Sequence, residues 1–260
     1  MQSQDPIARP HPNPAARVFG WLLSLLGGLW VLLTGGCTLT LMAALLFALP
    51  AAAQIPPSPA EVAAYRGLHA AAAKGDAAEI ARLIAAGEKA DAVDGHRRTP
   101  LHVAAHLGHQ AAAQALIRGG ANPNALDSQQ YDIVTIVAVT NDVPMLKLAL
   151  AGGCDPKNIT SPYQGTALIA AAHLGHAEVV RVLIAAGAPL DHVNNLGWTA
   201  LIESIVLGNG GRDHTDTLDA LVKAGANVNL ADRSGATPLR LAKGRGYSEM
   251  VRILEAAGAK

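Results

Sequence analysis

The sequence predicts an all-α fold: a solenoid of about six helix-turn-helix repeats, preceded by an apolar N-terminal signal or anchor segment. Two observations carry the solenoid. A block of helix-starting and helix-ending residues returns roughly every 33 residues, and Ala and Leu dominate a chain whose only Phe residues are Phe19 and Phe47. One helix pair of that size cannot bury its apolar face alone, so units in register must stack on one another. The third observation is an uncharged apolar run over residues 18–49, which sets the amino terminus apart from the rest.

The clearest unit runs from Asp94 to Leu126. Thr99 can cap a helix through its hydroxyl, and Pro100 suits the first helical position, where no amide hydrogen is needed. Leu101, Ala104 and Ala105 put small apolar groups on one face. Gly108 ends that helix. A second helix follows over Ala111–Arg118 and stops at Gly120, after which Asn122-Pro123-Asn124 turns the chain. With Thr99 as the register mark, the equivalents are Arg66, Asp132, Thr166, Thr199 and Thr237, at steps of 33, 33, 34, 33 and 38 residues. The closing Gly recurs as Gly87, Gly120, Gly153, Gly187, Gly225 and Gly258. Thr99-Pro100-Leu101-His102 at this period resembles the ankyrin repeat, over about residues 61–260. The resemblance implies an ankyrin-repeat solenoid whose usual activity is binding another protein. Together with the amino terminus, the chain is similar to an ankyrin-repeat protein of the exported bacterial type.

Lys plus Arg and Asp plus Glu number 20 each, so no bulk charge points to nucleic acid. Cys37 and Cys154 are the only cysteines, which excludes a disulfide framework. Residues 1–17 are polar and Pro-rich with Arg9 and Arg17, and Ala51-Ala52-Ala53 offers small residues to a signal peptidase ahead of Gln54. Residues 1–53 are therefore expected to be a signal peptide or a membrane anchor. The apolar run is long enough to span a bilayer, and an uncleaved anchor would keep Arg9 and Arg17 in the cytoplasm. Both readings place the repeats outside the cytoplasm, either periplasmic or tethered to the inner membrane through residues 18–49. Residues 54–60 are Pro-rich and read as a linker.

The repeats fall at about 61–93, 94–126, 127–160, 161–193, 194–231 and 232–260. Repeat one has Arg66 in place of the capping Thr, and Glu79 and Arg82 give it the wet face of an end unit. In repeat three Asp132 replaces Thr, and Asn141 takes the helix-ending Gly position, which Asn tolerates next best. One extra residue before Thr166 predicts a bulged finger around Ser161–Gln164. Five extra residues within Asn209–Thr217 predict an extruded loop. In repeat six Arg240 replaces the His, and Lys243, Arg245 and Glu255 stand where inner units are small or apolar, as a closing cap requires.

Histidine is the one chemically suggestive residue in quantity. His102, His106 and His109 have spacings that can place metal ligands on a helix face. The resemblance accounts for His102, which bonds the turn around the capping Thr, and for His109 and His176, which follow a helix end. No Cys, Asp or Glu completes a ligand set nearby, so no cofactor or metal is assigned. A nucleophile elbow and phosphate-cradling Gly loops are absent too, and the chain reads as a non-enzymatic binding module. The expected partner is another protein, held on the concave face by a monomeric solenoid. The alternatives are a membrane-tethered scaffold and a His-dependent metal or cofactor carrier. The candidate contact is a stripe of finger aromatics, Tyr131, Tyr163 and Trp198, flanked by Arg98, His106, Leu107, His173 and Leu174.

Overall fold

The computed structural model describes residues 54–260, so the signal or anchor segment expected over residues 1–53 lies outside the described residues. Within them the chain is helical, with one isolated antiparallel bridge between Thr160 and Gly165. A short helix α1 (Pro59–Ala64) leads into six helix pairs. The inner members are α2 (Gly67–Lys74), α4 (Pro100–His106), α6 (Ile133–Val139), α8 (Ala167–Leu174), α10 (Ala200–Val206) and α12 (Pro238–Arg245). Their outer partners are α3 (Ala77–Ala85), α5 (Gln110–Arg118), α7 (Val143–Ala151), α9 (Ala177–Ala185), α11 (Arg212–Lys223) and α13 (Ser248–Ala256). Each helix packs on its own partner and on the like member of the neighbouring pairs, giving two parallel rows.

The capping residues start the inner helices as the sequence predicts. Thr99, Thr166, Thr199 and Thr237 each accept from an amide three residues on, and Asp132 does the same for α6. Asn141 takes a left-handed backbone with φ of 57°. The inner helices are enclosed by two neighbours: Pro100 through Ala105 and Ile133 through Ala138 are all buried. Outer helices bury only a stripe, such as Val179, Val180 and Leu183 on α9. These are the two faces expected of a helix sandwiched in a row and of one at its edge.

Side-chain bonds tie each repeat to the next. His69 and His102, three residues after the capping position, donate through Nε2 to the carbonyls of Arg98 and Tyr131 in the following unit, at 2.9 and 3.1 Å. The Thr99 amide donates to Nδ1 of His102, which leaves the proton on Nε2. Burial lowers the His102 pKa, so the ring stays neutral. His109, His176 and His214 bond carbonyls of Ala73, Ala138 and His173 in the preceding unit. Five histidines, His102 and His109 of the suggested ligands among them, are thus spent on joints between repeats.

Two expectations are corrected. Residues 54–60 are no slack linker: Ser58 and Glu61 form a reciprocal cap on α1, and Pro57 is buried. The insertion in repeat five is only partly a loop. It lengthens α11 to 12 residues against 9 in α9: Thr217, Leu218 and Leu221 repeat the buried stripe of Val179, Val180 and Leu183, and Thr215 extends it toward the helix start.

Candidate protein-binding surface

Between each outer helix and the next inner helix the chain makes a finger. Its first residue folds the tip. One oxygen of Asp94, Asp127, Asn194 or Asp232 accepts from the amides two and four residues on, at 2.8–3.0 Å. Successive tips are joined by backbone bonds: the Ser128 amide to His96 O, Ser161 to Gln130 O and Asn195 to Tyr163 O. Four consecutive fingers therefore form one laced row.

Arg98 and Tyr131, expected as partner contacts, belong to the interior. Arg98 is fully buried: its guanidinium donates to Asp94 at 2.7 Å, to Ile55 O at 3.1 Å and to Glu61. The Tyr65 hydroxyl donates to the same Asp94 at 2.7 Å. Burial opposes charge on Asp94, but Tyr65 and Arg98 outweigh it and hold the carboxyl at about 2. Ser58, with Arg98, holds Glu61 at about 2. This network clasps the segment from Ile55 to Tyr65 onto the first finger, which explains the order of the expected linker. Tyr131 is 5 % exposed, and burial first, then neighbouring Tyr163 and Asp127, push its phenol up to about 12.

The remaining predicted contacts reach the surface to different degrees. Tyr163 is exposed at the tip of the bulged finger, where Ser161 and Gln164 both adopt positive φ. His192 Nε2 donates to Gln164 O at 2.7 Å and Asn195 Nδ2 to Pro162 O at 3.1 Å, so this tip is held from the neighbouring unit. Trp198 is half-buried, and its amide and carbonyl are taken up by Asn194. With Tyr131 buried, the expected aromatic stripe presents only Tyr163 and the half-buried Trp198 at the surface.

His106, Leu107, His173 and Leu174 lie half-buried along the inner row. Burial, with nearby His102 and Arg98, depresses His106 to about 4, and its Nε2 has no hydrogen-bond partner among the described residues. His173 differs: its Nδ1 lies 3.4 Å from Oε2 of Glu203, a side chain only 5 % exposed.

A second row was missed in the sequence. Val93, Leu126, Ile159 and Val193 are 56, 38, 57 and 50 % exposed, and each directly precedes the first residue of a finger. The signal was available, because aligning the repeats on their finger-starting residue puts four aliphatics in one column.

Among the described residues no group of three or more His, Cys, Asp or Glu is placed to hold a metal ion. Cys154 donates to Pro123 O at 3.3 Å, and burial pushes its thiol up to about 12, far from a nucleophile's range. Among the described residues no helix is long and apolar enough to cross a membrane.

Laced fingers on two rows of short helices define a repeat protein built to present a surface. A family model of ankyrin repeats, in three copies, matches residues 56–131 and 134–232, and the chain belongs to that family. It is similar to the ankyrin repeat protein YahD of Escherichia coli (strain K12), 38 % identical over 103 residues, covering 39 % of this chain and 51 % of that protein. It is also similar to protein phosphatase 1 regulatory subunit 27 of Mus musculus, 34 % identical over 82 residues, covering 32 % of this chain and 50 % of that one. The chain spans about half the length of these curated relatives. Among solved structures, an ankyrin repeat domain from Acinetobacter baumannii AYE is 46 % identical with a TM-score of 0.71, covering 74 % of this chain and 98 % of that one. Ankyrin repeats are protein–protein interaction modules, and that coarse function follows from the family.

Proposed function

We propose that this solenoid binds a partner protein along the finger row, with Val93, Leu126, Ile159, Val193 and Tyr163 as the apolar contact and the half-buried inner-row residues His106, Leu107, His173 and Leu174, with Trp198, beside it. The observation that carries the reading is the column of exposed aliphatics. Single exposed apolar residues are ordinary, but four at one register position make a continuous ridge. Packed helices repeat at about 10 Å. Seven residues of an α-helix rise about 10.5 Å, so a partner helix offering one apolar residue per heptad matches the ridge in pitch. The name of one relative, a phosphatase regulatory subunit, supports a regulatory or adaptor role for such a surface.

The test replaces Val93, Leu126, Ile159 and Val193 together with Asp. The side chains face water, so the melting temperature should hold while capture of the partner from native extract falls at least tenfold. Unchanged capture by the folded variant would remove the ridge from the binding surface.

Export of the repeats is the accompanying proposal, supported by the order Arg9, Arg17, apolar residues 18–49 and Ala51-Ala52-Ala53. A compartment-sensitive reporter fused after residue 60 should be active only outside the cytoplasm; cytoplasmic activity would refute it.

A further inference from the structure

Among the described residues, the inner row of helices carries one acidic side chain. Glu203 on α10 stands at the register position that Ala70, Val103, Ile136, Ala170 and Leu241 occupy in the other repeats. An aliphatic there satisfies the stack in five repeats, so packing does not require a carboxylate. Burying one without a cation is strongly unfavourable. Nevertheless, within salt-bridge reach among the described residues Glu203 has only His173, at 3.4 Å from Oε2. That is long against the roughly 2.7–2.9 Å of a strong ionic hydrogen bond. Oε1 is better served: it accepts from Asn194 Nδ2 at 2.9 Å.

The finger has adapted to this anion. Position 194 is Asn where the fingers starting at 94, 127 and 232 have Asp. The amide keeps the tip-folding oxygen, which accepts from Leu196 and Trp198, and turns a donor toward Glu203 instead of a second negative charge. A neutral donor serves one oxygen, and among the described residues no Lys or Arg lies within salt-bridge reach of the group. Val206 and Leu207 follow Glu203 by three and four residues, on the same helix face, and both are half-buried. His173, with 27 % of its side chain exposed, lies at the rim.

We propose that Glu203, with His173 at its rim, is the subsite where the inner row receives a cationic side chain of the partner protein, a guanidinium or an ammonium. The incoming group donates to Oε2 in place of the long His173 contact, and Val206 and Leu207 line the methylene stem, as long basic side chains require. The inference rests on the reading that this chain binds a protein, and it adds the residue type that the partner must present.

The test is an NMR titration of the intact chain with acetyl-arginine N-methylamide, acetyl-lysine N-methylamide and the neutral isostere acetyl-citrulline N-methylamide. One or both cationic probes should shift the Glu203 carboxyl carbon and the His173 ring resonances saturably. Citrulline should bind at least tenfold more weakly. Glu203→Gln keeps an oxygen for Asn194 and should melt no lower than the parent, yet lose at least tenfold in affinity for the cationic probe. No response to either cation, equal response to citrulline, or binding that survives Glu203→Gln would overturn the proposal. The variant with four Asp on the finger ridge should still bind the cationic probe. Failure of the ridge and failure of this subsite are therefore read separately.

Discussion

The boundary between repeats two and three and the boundary between repeats four and five use the same register with different contents. Each has a histidine seven residues after the capping position, His106 in one and His173 in the other. At the first boundary the next inner helix offers Ile136, and the finger starts with Asp127. At the second it offers Glu203, and the finger starts with Asn194. His106 is accordingly held near 4 by burial with its Nε2 unpartnered, whereas His173 sits against a carboxylate. The fold thus tolerates two chemistries at one address, provided the finger residue changes with the wall residue. That dependence can be broken on purpose.

The largest effect is expected from Ile136→Glu, which copies half of the second boundary into the first. The new carboxylate would face Asp127 with no amide to receive it, and a loss of about 3–5 kcal/mol is expected for an unpaired buried charge. Adding Asp127→Asn should restore part of that loss in denaturant melts. If the single substitution costs nothing, or the second change restores nothing, the two boundaries are not equivalent.

The next effect separates the histidines by pH. A folded-state value near 4 against an ordinary value of 6.5 means that the unfolded chain takes up the His106 proton first. Stability from His106 is then fully present above about pH 6.5 and is lost as pH falls toward 4. Between pH 7 and pH 5 the loss should be about 2 kcal/mol. His106→Gln should reduce the acid loss by that amount. An identical acid loss in parent and variant would show that His106 is not buried neutral.

The smallest effect lies in the fingers. At both boundaries the third residue after the start of the tip is left-handed: Gln130 has φ of 64° at the first and Gly197 has φ of 86° at the second. A non-Gly residue there carries a penalty of roughly 1–2 kcal/mol. Gln130→Gly should stabilise by about 1 kcal/mol after the entropy of Gly in the unfolded chain is subtracted. A destabilised variant would mean that the Gln130 side chain contributes more than its backbone costs.

Much of this architecture was legible in the sequence because it is local. Thr, Pro, Gly and Asn announce helix ends within a few residues of where they act, and the extra residue before Thr166 does appear as a bulged finger. What escaped depends on partners far along the chain. Arg98 reads as an exposed finger residue until Ile55 and Glu61, 43 and 37 residues earlier, fold over it. Tyr131 reads as a tip aromatic, but its carbonyl is taken by His102 and its ring is enclosed. The extension of α11 was hidden because an insertion with Gly and Asp looks like a loop until its Thr and Leu residues find the neighbouring helices. Glu203 and the aliphatic ridge were visible only by column, the first after the repeats are aligned on the capping residue and the second after they are aligned on the finger start.

The central claim is that the finger side of the solenoid, and not the outer helices, meets the partner. Photocrosslinking tests it most directly. A benzophenone amino acid placed at Ile159 on the ridge, and separately at Arg181 on the exposed face of α9, leaves the core untouched. A crosslinked partner is expected from position 159, lost when the other three ridge residues are Asp, and none from position 181. The same partner crosslinking from 181 and not from 159 would contradict it.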